Sequence, residues 1–184
     1  MIPQRIKLKG FLCYKDEQEV EFDGNSTLWM LSGPNGSGKS SIFDAVTYAL
    51  FGHHRGGGQH AHELINKDSD SLLVEFEFLL DGRLYRAKRT LRRKTTGGAA
   101  GTQQMFWLQT GENGQTRWLP IEETSQKKAF DTWVEENIGL NYDTFTSSVL
   151  LLQGKAEKLL DSRPEGRREV LASIVDLERY ERLH

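Results

Sequence analysis

At 184 residues, 37% hydrophobic and with a mean hydropathy of −0.57, the chain can bury a core, yet it is polar for a densely enclosed enzyme. Its 24 Lys+Arg against 26 Asp+Glu leave a net charge of −2, which excludes a global field for nucleic acid and requires any such binding to come from a local patch. The single Cys13 excludes an internal disulfide, no apolar run approaches the roughly 20 residues of a membrane span, and no signal peptide is visible, so the expectation is a soluble, intracellular, cytoplasmic protein with no membrane partner.

Residues 4–9 alternate, with Ile6 and Leu8 on one side and Arg5, Lys7 and Lys9 on the other. Residues 18–22 repeat the pattern with Val20 and Phe22 against Glu19 and Glu21. Period-two alternation marks half-buried strands, and the connection from Phe11 to Asp16 makes them an antiparallel pair. After a turn at Asp23-Gly24-Asn25, the apolar run Thr27-Leu28-Trp29-Met30-Leu31 reads as a strand buried on both faces.

That run feeds Gly33-Pro34-Asn35-Gly36-Ser37-Gly38-Lys39-Ser40, which fits the phosphate-cradling pattern G-x-x-x-x-G-K-[ST]. Glycines let successive backbone amides turn inward on anionic oxygens, and the following helix aims its positive end at them. Lys39 can reach the β- and γ-phosphates of a nucleoside triphosphate such as ATP, the Ser40 hydroxyl can ligate the bridging Mg²⁺, and Ser41 completes the run of phosphate-binding candidates. Ile42, Ala45, Val46, Ala49 and Leu50 form one helical stripe, with Gly52 as a stop. Four histidines follow between His53 and His62; with a glycine run for a scaffold and no cysteine nearby, this reads as a mobile surface loop near the nucleotide rather than a metal site.

Leu72–Leu80 and Leu84–Leu91 read as strands of a hairpin turning at Asp81-Gly82. Asp81 could instead end an apolar strand as a Mg²⁺-orienting carboxylate, but Glu75 and Glu77 alternate with Val74, Phe76 and Phe78, and a central buried strand is not expected to carry charges at every second position. Asp81 is therefore read as a turn residue. The following strand carries Arg83, Arg86, Lys88, Arg89, Arg92, Arg93 and Lys94, a dense basic run that could contact phosphate backbone or simply be a solvated hairpin. Residues 95–103 read as a low-complexity loop, and Met105–Leu108 with Arg117–Ile121 as a further hairpin, so that a β-meander spans about residues 70–121. A helix from Ser125 places Ala129, Phe130, Trp133 and Val134 on one stripe, with Gly139 beyond its end; Tyr142–Thr146 reads as a helical turn. Ser148–Leu152 reads as a buried strand ending at Gln153, and an amide in that position is a candidate for the nucleotide site that spacing alone leaves open. Ser162 with Glu165 makes a capping box, and Val170, Leu171, Ile174 and Leu177 an apolar seam that suggests the start of a coiled coil.

Taken together, Ile6–Phe11, Gly33–Ser41 with Ile42-Phe43-Asp44-Ala45, Tyr48–Gly52, Glu63–Asn66, Leu151–Gly154, Arg163–Arg168 and Leu177–Glu181 resemble the N-terminal part of an SMC-like ABC ATPase head, nearest the SbcC and Rad-fifty family of double-strand-break repair. The long separation of Lys39 from Gln153 favours the repair and chromosome ATPases over ABC transporters. The resemblance implies a mixed α/β P-loop NTPase lobe over residues 1–161 and a coiled-coil helix opening at 162–184. It implies ATP and Mg²⁺ as cofactors, Lys39 and Gln153 in catalysis, and Ser40 and Gln153 at the metal. The partners it implies are the C-terminal half of the same ATPase, a second head in a homodimer with ATP at the interface, an SbcD-like nuclease partner and double-stranded DNA, in a nucleoid-associated setting. The signature motif, the Asp–Glu pair and the switch His of that family are absent, so the expectation is an N-terminal lobe truncated near its coiled coil and inactive in hydrolysis by itself. The alternatives are a chromosome-organising SMC or RecF/RecN-like head, or a DNA-binding scaffold with structural ATP.

Overall fold

The computed structural model describes residues 1–22, 29–54, 61–95, 97–111 and 113–146. The chain divides into two units, Met1–Glu136 and Asn137–His184. In the first, six strands form one sheet: β1 (Ile2–Lys9), β2 (Gln18–Glu21), β3 (Ser71–Leu80), β4 (Arg83–Arg93), β5 (Ala99–Thr110) and β6 (Thr116–Pro120). Their order is β2-β1-β3-β4-β5-β6 and every pairing is antiparallel. With helices α1 (Lys39–Phe51) and α2 (Lys127–Ile138) the fold is mixed α/β.

Alternation fixes the two faces of the sheet. Ile6, Leu8, Val74, Phe76, Phe78, Ala87 and Met105 share one face and are buried. Helix α1 packs against β1, β3 and β4 and contributes Ile42, Ala45, Tyr48, Ala49 and Leu50 to the core. Burial of each such Leu, Ile or Phe stabilises the fold by roughly 1.5–3 kcal/mol. Helix α2 adds Phe130 and Val134, and its Trp133 packs on Tyr85 of β4 with ring centroids 5.1 Å apart.

On the opposite face, charges of alternating sign run across four strands. Arg5 pairs with Glu19 at 2.6 Å and with Glu77 at 2.5 Å, Arg86 bonds the same Glu77, and Lys88 pairs with Glu75 at 2.9 Å. Glu75 and Glu77 are only 9% and 8% exposed. Strand β3 is thus interior to the sheet despite its carboxylates, which corrects the premise that such a strand cannot carry them: each buried acid is neutralised by a cation directly opposite on a neighbouring strand. The conclusion drawn for Asp81 holds on other grounds. Asp81 and Gly82 have φ of 48° and 75° and form the tight turn between β3 and β4.

Two further expectations are corrected. Trp29, Met30 and Leu31 form no strand and are exposed, Met30 by 86%. A strand buried on both faces needs partners on both edges, and no described strand of the sheet flanks them. Residues 99–103 are not loop but the start of β5, because Thr102 lies opposite Thr90 and their hydroxyls meet at 2.7 Å, so that small polar residues close the ladder as readily as apolar ones.

In the second unit, α3 (Tyr142–Thr144) is a single turn capped by Asn141, whose Oδ1 accepts from the Thr144 N–H at 2.9 Å. The expected strand at Ser148–Leu152, Gln153 and the helix at 162–184 lie outside the described residues.

Candidate functional site

The glycine-rich segment enters α1 directly. Ser37 N–H donates to Pro34 O at 3.3 Å, and Gly36 and Gly38 hold φ of 83° and 91°, a region that only glycine enters without strain. Helix α1 begins at Lys39, with no side-chain cap and no acidic residue in its first turn. The Ser41 N–H is taken by Gly38 O at 2.8 Å, and the amides ahead of it, with the positive end of the helix, face an external anion without competition from a cap. Gly33 to Ser37 and Ser40 are exposed. The Lys39 ammonium folds back over the loop and donates to Gly33 O at 2.7 Å and Pro34 O at 2.6 Å, so one cation sits where the loop curls. The Ser40 hydroxyl, exposed one residue into the helix, suits a hard cation that bridges phosphates. Gln153 lies outside the described residues.

The connection between β1 and β2, read from sequence only as a link, is the wall of this site. Phe11 and Tyr14 exchange backbone hydrogen bonds of 2.8 Å in a tight turn, and Leu12 N–H donates to Leu64 O at 2.8 Å. The Asn66 amide donates to Leu12 O at 2.6 Å, and Arg93 reaches Ile65 O at 3.0 Å. From this braced turn the Tyr14 hydroxyl donates to Gly38 O at 3.1 Å, and Cys13 Sγ lies 3.7 Å from Ser41 Oγ. Burial pushes the Tyr14 phenol up, with the neighbouring Cys13 adding to the effect, so the hydroxyl keeps its proton at neutral pH. An open depression of about 1230 Å³ adjoins the loop, lined by Cys13, Lys15, Ser41, Asp44, Asn66 and Arg93 among others. The sequence signal for this wall was weak: a Leu-Cys-Tyr turn with one left-handed residue, Leu12 at φ 50°, has no motif.

The far end of α1 is closed by a residue from the basic run. Arg89 is 5% exposed; its Nε donates to Ala49 O at 2.9 Å and a terminal nitrogen to Leu50 O at 3.1 Å. Its guanidinium also lies 4.3 Å over the Phe130 ring and 3.7 Å from Asp131. The last carbonyls of α1 are satisfied, and a cation complements the negative end of the helix. Burial pulls the Arg89 pKa down against the favourable influence of Tyr48 and Asp131. Three more of the run are spent on structure: Arg86 stacks on Trp118 at 4.0 Å, Lys88 pairs with Glu75, and Arg93 holds the Ile65 carbonyl, while Arg83, Arg92 and Lys94 are exposed. Of the four histidines of that loop, His60 falls outside the described residues; among the described residues no cluster of His, Cys, Asp and Glu is arranged to hold a metal ion.

A family model described as AAA domain, AAA_23, matches residues 5–183. The chain is 32% identical over 184 residues to the SbcC component of nuclease SbcCD from Deinococcus radiodurans, covering 100% of this chain and 19% of that protein. It is 31% identical to the protein of the same name from Bacillus subtilis, over 98% of this chain and 16% of the relative. It is also 31% identical to the DNA double-strand break repair Rad50 ATPase of Thermoplasma volcanium, over 98% of this chain and 18% of the relative. The chain thus spans less than a fifth of the length of these relatives. Among solved structures, the SMC head domain from Thermotoga maritima matches 66% of this chain and 39% of that one at 24% identity, with a TM-score of 0.41. With a glycine-rich loop opening an uncapped helix, and a family match that runs from the first strand to the final residues, the chain belongs to the AAA domain family, AAA_23, and resembles SbcC- and Rad50-type proteins over its whole length.

Proposed function

We propose that this chain is the ATP-binding N-terminal lobe of an SbcC-like ATPase head in a DNA double-strand-break repair nuclease. The observation that carries the reading is the glycine-rich loop at the start of α1, whose first turn has neither a side-chain cap nor an acidic residue while Lys39 lies folded over the loop. In this reading the loop residues from Asn35 to Ser41 hold the phosphates, Lys39 neutralises them, and Ser40 with Gln153 holds Mg²⁺. The nucleoside rests over the depression lined by Cys13, Ser41 and Asn66. The names of the relatives support the repair setting, double-stranded DNA as the substrate and a nuclease as partner, and a cytoplasmic location belongs to the same reading. Two heads then close on two ATP molecules, and hydrolysis requires the C-terminal half of the protein. The lobe would occupy residues 1–161, with a coiled coil from 162.

The scaffold alternative relied on the basic run as a nucleic-acid surface, and four of its seven cations, Arg86, Lys88, Arg89 and Arg93, are engaged within the fold, leaving only Arg83, Arg92 and Lys94, all exposed, for that role. Calorimetry of Mg·ATP on the 184-residue chain tests the proposal. The expected result is weak binding that Lys39→Ala lowers by roughly tenfold or more, as loss of a charge-assisted contact implies, with no turnover until the C-terminal half is added. Steady hydrolysis by the chain alone, abolished by Lys39→Ala, would overturn the division of labour between the halves.

A further inference from the structure

The Gly38–Lys39 peptide is the hinge between the loop and α1, and the structure assigns a second residue to it. We infer that Tyr14 is a positioning residue of the phosphate site, its hydroxyl holding this peptide so that the Lys39 N–H points into the loop. The inference rests on the phosphate reading of that loop and deepens it.

The argument begins with covalent geometry. In a trans peptide the carbonyl oxygen and the amide hydrogen of the same plane point in opposite directions; the described chain has no cis bonds. Gly38 O accepts from Tyr14 Oη at 3.1 Å and from Ser41 N–H at 2.8 Å, so the carbonyl is drawn toward the β1–β2 connection. The Lys39 N–H on the same plane is thereby turned away from that connection, toward the loop. The Ser41 bond belongs to any first helical turn. The Tyr14 bond does not, and it comes from a separate segment fixed by Asn66 and Leu64.

Glycine makes such a restraint necessary. At φ 91° and ψ 4°, Gly38 has access to conformations closed to other residues, and its peptide can rotate at little cost unless something holds it. The packing shows that the contact is built in: a Cβ on Gly38 would stand 2.5 Å from Cys13 Sγ and 2.8 Å from Tyr14 Oη. The residue that must lack a side chain and the residue that restrains it are therefore fitted to each other. Tyr14 acts through the backbone of Lys39, at the phosphate end, and its effect must be independent of the base.

The test compares Mg·ATP with inorganic tripolyphosphate on the 184-residue chain, each titrated while the Lys39 amide is followed by ¹⁵N NMR. Tyr14→Phe keeps the ring and removes the donor; the expected result is an equal weakening for both ligands, roughly 3- to 10-fold as one hydrogen bond implies. A displaced Lys39 amide resonance and an unchanged melting temperature should accompany it, with Tyr85→Phe as a control that changes neither affinity. Weakening confined to Mg·ATP would mean that Tyr14 meets the nucleoside, and would overturn the inference. Unchanged affinity for both ligands would also overturn it, whether or not the melting temperature falls, and would leave the phosphate reading standing so long as Lys39→Ala still weakens binding of both. If tripolyphosphate binds wild type and Lys39→Ala alike, the phosphate reading fails and the inference falls with it.

Discussion

The two ends of α1 solve opposite problems. At its C-terminal end the carbonyls of Ala49 and Leu50 are buried, and the chain supplies a partner of its own in Arg89, itself held against Phe130 and Asp131. At its N-terminal end the amides are left without a side-chain cap, the loop is exposed, and a single hydroxyl from Tyr14 steadies the entry. One end is satisfied by the protein and contributes stability. The other is left incomplete, which costs stability and creates affinity for an anion. Stability and function are thus read off the same helix in different directions.

Breaking the closed end should have the largest effect on the fold. Arg89→Leu leaves two helix carbonyls without a partner beneath α2 and is expected to destabilise the chain by about 2–4 kcal/mol, measured as a fall in urea midpoint at constant slope. A loss within experimental error would mean that water or a shifted neighbour replaces the guanidinium. Breaking the open end should act mainly on ligand. Gly38→Ala forces a Cβ against Cys13 Sγ and Tyr14 Oη at positive φ, and is expected to cost about 1–3 kcal/mol while removing triphosphate binding. If binding survives in a chain of lowered stability, the left-handed entry is not required by the site.

The smallest effect sharpens the comparison through pH. Burial holds the Tyr48 phenol above its usual range, with Arg89 pulling the other way. The folded state therefore binds that proton more tightly than the unfolded chain, whose tyrosines ionise near about pH 10. The contribution is fully present below that pH and is lost as pH rises beyond it. In Tyr48→Phe, stability measured by chemical denaturation should fall less steeply above about pH 10 than in wild type. An identical alkaline slope in the two chains would show that another group governs it.

Much of the architecture was legible because the physics behind it is local. Asp81-Gly82 announces its turn, the alternations around Ile6, Val20 and Val74 announce their strands, and the spacing of Ile42, Ala45 and Ala49 announces α1 with Gly52 at its end. The glycine-rich loop was legible for a different reason: Gly36 and Gly38 hold positive φ, which only glycine enters without strain. What escaped was decided by distant partners. Glu75 and Glu77 look like solvent-facing residues until Arg5, Arg86 and Lys88 are placed opposite them. Arg89 looks like one more surface cation until its register puts it on the apolar face, across from Val74. Trp29, Met30 and Leu31 have the composition of a buried strand and lie exposed, since composition alone cannot supply neighbours. Tyr14 was unreadable because its role depends on a bond to a backbone atom 24 residues away.

The sheet order carries a consequence for how the molecule assembles. Neighbouring strands are also neighbours in sequence from β1 to β2 and from β3 through β6, and the one exception is β1 against β3. The long loop closed by that pairing is the stretch that holds the glycine-rich segment and α1. Its closure entropy must be met before its contacts form, whereas each hairpin closes over a short turn. Folding kinetics should then separate into an early meander and a later step, set by β1 meeting β3, at which the glycine-rich loop and the Tyr14 turn first come together.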